Sequence, residues 1–479
     1  MNQRNIPSIH HSALVVGGVL TVLAVGLILL KANIHSLLLI SIAWTCLISY
    51  LAKHDFRTMK SAMSAGISRG LTAIYIFILI GVLVSAFISS GTVPTLVYYG
   101  LDLISPNLFL PATMLICSLM SLATGTSWGT VGTIGVVLIG LGTALGVPPA
   151  AVAGAIVSGA VFGDKMSPVS DTTVLASVSA ETDLYKHIKS MLISTVPAYV
   201  ICFLIFLFYN QTASLDILPP EHIISLQASL TEAFNISFWT LIPIASLLIM
   251  SMRGVAAEIA MTSSIVLAII IAVSFQGTDS STIFSIVQNG YVSETGNAIV
   301  DKMLSRGGIQ SIMWTLSLVI IGLALGGLLD ELSYIRTILS GLIKRVKRPA
   351  SLISLAIFSS FFFNLSMGTP YLSIILGGQL FKDAFKSFGL DGSMLSRCLE
   401  EGATCTGVLI PWTAGGAFFM SMLGISAFEY APWAFFNLLN PIISIFFAYI
   451  GIGIIRKKQK PEKSGVKKDQ VLSPEPATK

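Results

Sequence analysis

Residues 158–173 read SGAVFGDKMSPVSDTT, and the placing of their charges decides how the rest of the chain is read. From 107 to 163 there is no Asp, Glu, Lys or Arg; then Asp164, Lys165 and Asp171 arrive together, with Pro168 between them. The surroundings are those of a membrane protein. Of 479 residues, 54% are hydrophobic and 11% charged, with a mean hydropathy of +0.84; a soluble domain carries roughly 25% charge. Apolar stretches of about 20 residues are long enough to cross a ~30 Å hydrocarbon layer. Charge inside such a layer is costly and marks function by default.

Ten crossings are expected: about 12–30, 34–52, 70–90, 150–180, 189–209, 236–252, 255–275, 309–330, 392–424 and 429–455. Residues 12–30 are read as a retained helix, because no small-residue cleavage site follows. The apolar stretches 109–145 and 350–388 are too long for one helix. Halves of roughly 15 residues reach only about 22 Å, so both are read as re-entrant hairpins. Irregular backbone survives at that depth only when buried in protein or lining a cavity. Lys and Arg concentrate in loops that this count puts in the cytoplasm, which places both termini there. It also makes the first hairpin enter from outside and the second from inside.

A gapless shift of 243 residues lays Pro106 on Pro349, Gly125 on Gly368, Thr126 on Thr369, Gly146 on Gly389, Gly159-Ala160 on Gly402-Ala403, and Pro168 on Pro411. Gly and Pro shape the backbone, so their coincidence points to a repeat. Five crossings per repeat insert the second copy upside down, the plan of secondary transporters with broken helices at the midplane. The expected fold is therefore an all-α polytopic membrane protein. It has a cytoplasmic N-terminus (1–11), a first repeat (12–210, hairpin 109–145, broken helix 150–180) and an external loop (211–235). A second repeat (236–455, hairpin 350–388, broken helix 392–424) and a basic cytoplasmic tail (456–479) follow. Orienting the protein in a lipid bilayer accounts for that tail, and no nucleic acid is needed as a partner.

The first break should fall between a half-helix ending near Gly163 and a second one capped by Ser167, with Pro168 at its first position. Freed carbonyls, with Asp164 and Asp171, can then hold a cation, Na+, or a proton; the bland alternative is a structural ion pair. Lys165 either neutralises Asp164 when no cation is bound or holds the break. Ser170, Thr172 and Thr173 offer hydroxyl ligands or bond back to their helix. The hairpin tips bring Thr124, Thr126 and Ser127, and Asn364, Ser366 and Thr369, either as binding groups or as local turn chemistry. The uncharged second break, TCTGVLIPWTAGG (404–416), contributes Thr406 and Thr413. Glu400 and Glu401 form a proton path or sit at the cytoplasmic mouth with Arg397. The five cysteines read as packing residues, and no cofactor or resident metal is expected. Without a phosphate-binding loop there is no sign of an ATP-driven pump, and no catalytic constellation suggests an enzyme.

The segment GDKMSPVSDTT, with TGTSWGT upstream, resembles the signature of NhaC-type Na+/H+ antiporters of the ion transporter superfamily. The resemblance extends over most of residues 12–455. It implies inverted repeats, re-entrant hairpins and elevator-type homodimers in a bacterial plasma membrane. It also implies ion-site roles for Asp164, Ser167, Ser170, Asp171, Thr172 and Thr173. Two transport functions stay open at this point, besides a channel or membrane scaffold, against which two broken helices in inverted repeats argue. One is Na+/H+ exchange. The other is Na+- or H+-coupled transport of a small organic acid or amino acid, for which Asn364, Thr369, Tyr371 and Trp412 offer a polar, aromatic wall.

Overall fold

A computed structural model describes residues 7–103, 108–212 and 220–457. Most of the basic tail, the extreme N-terminus and Pro106 lie outside the described residues. The chain is 81% helical with no strands among the described residues, as a bilayer requires of a backbone that must satisfy its own polar groups. Among the described residues seven helices are long and apolar enough to cross a membrane, or ten if each of three bent pairs counts once. The set differs from the one read off the sequence. Ser127–Ala144 and Pro349–Met367, both hairpin arms, qualify by themselves, whereas the broken helices do not: the first is Pro149–Met166 and Asp171–Ser179, the second Gly392–Gly402, Thr404–Gly407 and Ala414–Leu423. The connecting segments also carry helices: Phe56–Arg69, Thr92–Leu103, Pro220–Ala233, Ser280–Asn289 and Ala298–Leu304.

Both hairpins break at a Gly-Thr pair. Gly125 (φ 71°) and Gly368 (φ 69°) end their first arms in the left-handed conformation, which glycine alone adopts without penalty. Thr126 and Thr369 are extended, and Ser127 and Pro370 start the second arms. The arms run to 16, 18, 19 and 18 residues. That is about 24–28 Å at 1.5 Å per residue, deeper than the sequence suggested. The 243-residue offset recurs in the element boundaries: Ser127 and Pro370 open one pair of helices, Asp171 and Ala414 another.

The first arm of each hairpin lies along the broken helix that follows it, held by small residues that let backbones approach closely. A methyl group on Gly159 would sit 2.2 Å from the Met114 carbonyl oxygen, and one on Gly402 would sit 2.3 Å from that of Ile357. The Ser121 hydroxyl donates to Ala160 O at 2.6 Å, and the Asn364 amide donates to Ala403 O at 2.7 Å. All four pairings are related by the same offset. The last part of each broken helix packs on the other hairpin: Asp171–Ser179 on Pro370–Ser387, and Ala414–Leu423 on the π-helical turn at Val131–Gly135.

Gly159→Ala and Gly402→Ala should each lower stability by about 1–3 kcal/mol, the cost of overpacking. Gly17→Ala, which meets nothing within 4 Å, should leave the thermal unfolding midpoint of the purified protein unchanged. Equal midpoints for all three variants would contradict the packing described.

Candidate functional site

Pro149 opens the first broken helix at its first turn, and the helix runs on through Gly163, Asp164 and Lys165 to Met166. It ends later than the sequence suggested because the determinant is Pro168. A proline disfavours helical geometry in the residue before it, and Ser167 is extended (φ −77°, ψ 128°). Pro168 therefore lies in the break and does not begin the second helix. Ser170, not Ser167, takes the N-cap position ahead of Asp171–Ser179. Lys165 in a last turn and Asp171 in a first turn both suit the helix dipole.

Ser170 does not cap its own helix. Its hydroxyl donates to Asp164 Oδ1 at 2.6 Å. Asp164 Oδ2 accepts from the backbone N–H of Ser127 at 3.0 Å and from its hydroxyl at 2.6 Å. The carboxylate thus faces a helix N-terminus at the first hairpin tip, a ready site for negative charge. It is 6% exposed, and among the described residues no cation lies within salt-bridge distance of it. Ion pairing with Lys165 does not occur, since consecutive helical residues point to different faces. Lys165, fully buried, bonds Asn440 Oδ1 and lies 3.9 Å from Glu401.

Asp171 stands at the mouth of the same cavity. Its Oδ2 accepts from the Tyr371 hydroxyl at 2.6 Å, joining the first broken helix to the second hairpin. Thr126, Asp164, Asp171, Thr172, Thr369 and Tyr371 are among the residues lining this cavity of about 440 Å³, so both hairpin tips reach it. The other expected ligands are used elsewhere. Ser167 donates to Leu122 O and Thr173 to Lys165 O. Thr124 and Ser366 bond back to Met120 O and Phe363 O. Thr126 and Thr413 cap Gly129 N and Gly416 N. Thr406 accepts from Asn364 at 3.0 Å, and Ser373 donates to Asn364 Oδ1 at 2.7 Å, a neutral cluster in the second half.

Glu400 and Glu401 are fully buried and not at a solvent-exposed mouth. Glu401 accepts from Ser194 and lies 3.8 Å from Arg397 Nε as well as near Lys165. Sequence reasoning missed Asn440 and Ser194. Asn440 was findable: a side-chain amide in the apolar helix Phe435–Ile450 needs a buried partner.

The profile described as the Na+/H+ antiporter family matches residues 6–180 and 159–452. The chain is 38% identical over 453 residues, 94% of its own length and 98% of the relative's, to a protein of Alkalihalophilus pseudofirmus named Na(+)/H(+) antiporter NhaC. It is 34% identical to the Malate-2H(+)/Na(+)-lactate antiporter of Bacillus subtilis, over 94% of this chain and 96% of that one. It is also 34% identical to that organism's Na(+)/H(+) antiporter NhaC, over 88% and 94%.

The pairing of Ser127 with Asp164 should appear in a double-mutant cycle of Ser127→Ala and Asp164→Asn. A coupling energy of about 1.5–3 kcal/mol in thermal or denaturant unfolding is expected for a buried hydrogen bond to a charged group. Additive effects would mean that the hairpin tip is not docked on the carboxylate.

Proposed function

The chain belongs to the Na+/H+ antiporter family, and from that premise we propose that it exchanges Na+ for H+ with Asp164 as the shared binding group. The observation that carries this reading is a buried carboxylate with three donors, no paired cation, and a cavity formed by both hairpin tips. Na+ is a hard cation that takes oxygen ligands, as its divalent neighbours do. Asp164, the hydroxyls of Ser127, Ser170 and Thr172, and Asp171 at the mouth supply them. A proton satisfies the same carboxylate. Carrying an unpaired ionised carboxylate through the membrane interior costs several kcal/mol, and every 1.4 kcal/mol is about tenfold in a population. Only the Na+- or H+-loaded form then crosses readily, which is exchange.

The proposal includes the inverted arrangement of the two repeats, elevator-like alternating access, a homodimer, and a plasma-membrane setting with both termini cytoplasmic. Its support is the Lys/Arg distribution, the recurrence of hairpin and break at one offset, and the half-helices that cross between repeats. A second reading, coupled transport of a small organic acid or amino acid, is favoured by the cavity. About 440 Å³ falls in the range of small-molecule sites and far exceeds what one Na+ needs.

In proteoliposomes, an imposed Na+ gradient should drive proton flux without any organic solute, and Asp164→Asn should abolish it. Flux that appears only when a carboxylate or amino acid is supplied would transfer the assignment to the second reading. Topology has its own test in a background cleared of native cysteines. A cysteine in 146–149 should react with an impermeant thiol reagent from outside, and one in 386–391 only from the cytoplasm. Reaction from one face would mean parallel repeats.

A further inference from the structure

Glu400 differs from every other acidic group near the site. It is fully buried, and neither carboxylate oxygen has a hydrogen-bond partner. One turn further on, the Thr404 hydroxyl faces Glu400 but makes no hydrogen bond of normal length, and Thr404 lines the Asp164 cavity. One turn back, Arg397 has Nε and Nη2 without hydrogen bonds while its Nη1 donates to Ser190 O and Gly453 O, both at 3.3 Å. Both ring nitrogens of the buried His187, the Ser190 hydroxyl, Glu401 Oε2 and Asn440 Nδ2 are unpartnered as well. Buried polar groups are rarely left so. A contiguous set of them is the setting in which internal water is held. The set runs from the cavity wall at Thr404 toward Gly453, at the end of the molecule where the basic tail begins.

We propose that Glu400 is a proton-relay carboxyl, which passes the proton between the Asp164 cavity and the end of the protein that carries Gly453, by a route separate from the one Na+ takes. This deepens the Na+/H+ reading and rests on it. Glu400 fits the task better than Glu401, which is held by Ser194, Lys165 and Arg397. A relay must change partners as it gains and loses its proton, and only the unclamped group is free to do so. Among the described residues the ionisable groups around it are Asp164, Lys165 and Asp171 from the first broken helix, Tyr371 from the second hairpin, Cys405 from Thr404–Gly407, and Arg397, Cys398 and Glu401 from its own helix, while His187 from Leu184–Thr212 faces Lys165. Pro349–Met367 brings none, and Phe435–Ile450 brings only the exposed Tyr449. When Glu400 gives its proton to water, its charge is left beside the Lys165 ammonium.

The test uses the full chain in proteoliposomes. Glu400→Gln should reduce Na+-driven proton flux at least about tenfold, as expected for loss of a proton-transfer group. Exchange of radiolabelled Na+ for Na+, which needs no proton, should be unchanged. Glu400→Asp should restore part of the proton flux. Undiminished proton flux in Glu400→Gln would overturn the proposal. So would equal loss of both exchanges without rescue by Glu400→Asp, because that is the signature of a structural residue. If Glu400→Gln does not fold, acid-induced infrared difference spectra of wild type and Glu400→Asp decide: a carboxyl band should shift between them, and identical spectra would refute a titrating Glu400. A wild type without Na+-driven proton flux fails the exchange reading itself, while the infrared comparison still judges Glu400.

Discussion

The structure turns on one carboxylate and the three donors that reach it. Ser127 brings the tip of the first hairpin to Asp164, and Ser170 brings the second half of the broken helix. Neither contact is local in the helical sense. One closes 37 residues of chain and the other spans the break. Both place neutral donors around a carboxylate that has no cation within salt-bridge distance among the described residues. A buried charge satisfied only by dipoles is held at a cost, and a cation or a proton relieves it. In the proposed exchange, the binding task and the packing of the hairpin are therefore the same interaction.

Around this centre the two halves use the same backbone devices and different charges. Left-handed Gly125 and Gly368 turn the hairpins, Gly159 and Gly402 admit the first arms, and Ser121 and Asn364 bond the carbonyls of Ala160 and Ala403. At the same offset, however, Gly407 stands for Asp164, Val408 for Lys165 and Ala414 for Asp171. One half provides the ionic chemistry. The other closes the cavity with Thr369 and with Tyr371, whose hydroxyl holds Asp171. In the proposed elevator-like movement, the relative position of the two halves would set the distance between the two tips.

Charge in the interior is sorted by helix face. Asp164 points into the cavity; Lys165, the next residue, points behind it toward Asn440 and Glu401. Keeping the ammonium off the carboxylate leaves Asp164 without a counter-ion among the described residues, which in the proposed exchange would compete with Na+. Glu401, between Lys165 and Arg397, partly balances two buried cations, at a desolvation cost that only good geometry and added hydrogen bonds offset.

What the sequence determined by itself was everything that depends on composition and on short-range backbone chemistry. Apolar runs made the chain a helical membrane protein. Gly125-Thr126, Gly368-Thr369 and Pro168 marked where helices must stop, and the charges in 158–173 marked the segment from which Asp164 and Asp171 line the cavity. The end of the first half-helix and the start of the second were misplaced by a few residues, since proline acts on the residue before it and either Ser167 or Ser170 suits a cap. Only the tertiary structure decided how the polar groups are shared out. Ser167 and Thr173 go to backbone carbonyls, Ser127 and Ser170 to Asp164, Tyr371 to Asp171, and Lys165 to Asn440, 275 residues away. The reason is physical. A hydroxyl or ammonium in a dry interior bonds whatever acceptor the packing brings within about 3 Å, and that acceptor lies on another element, whose place is set by how glycine-bearing faces fit together.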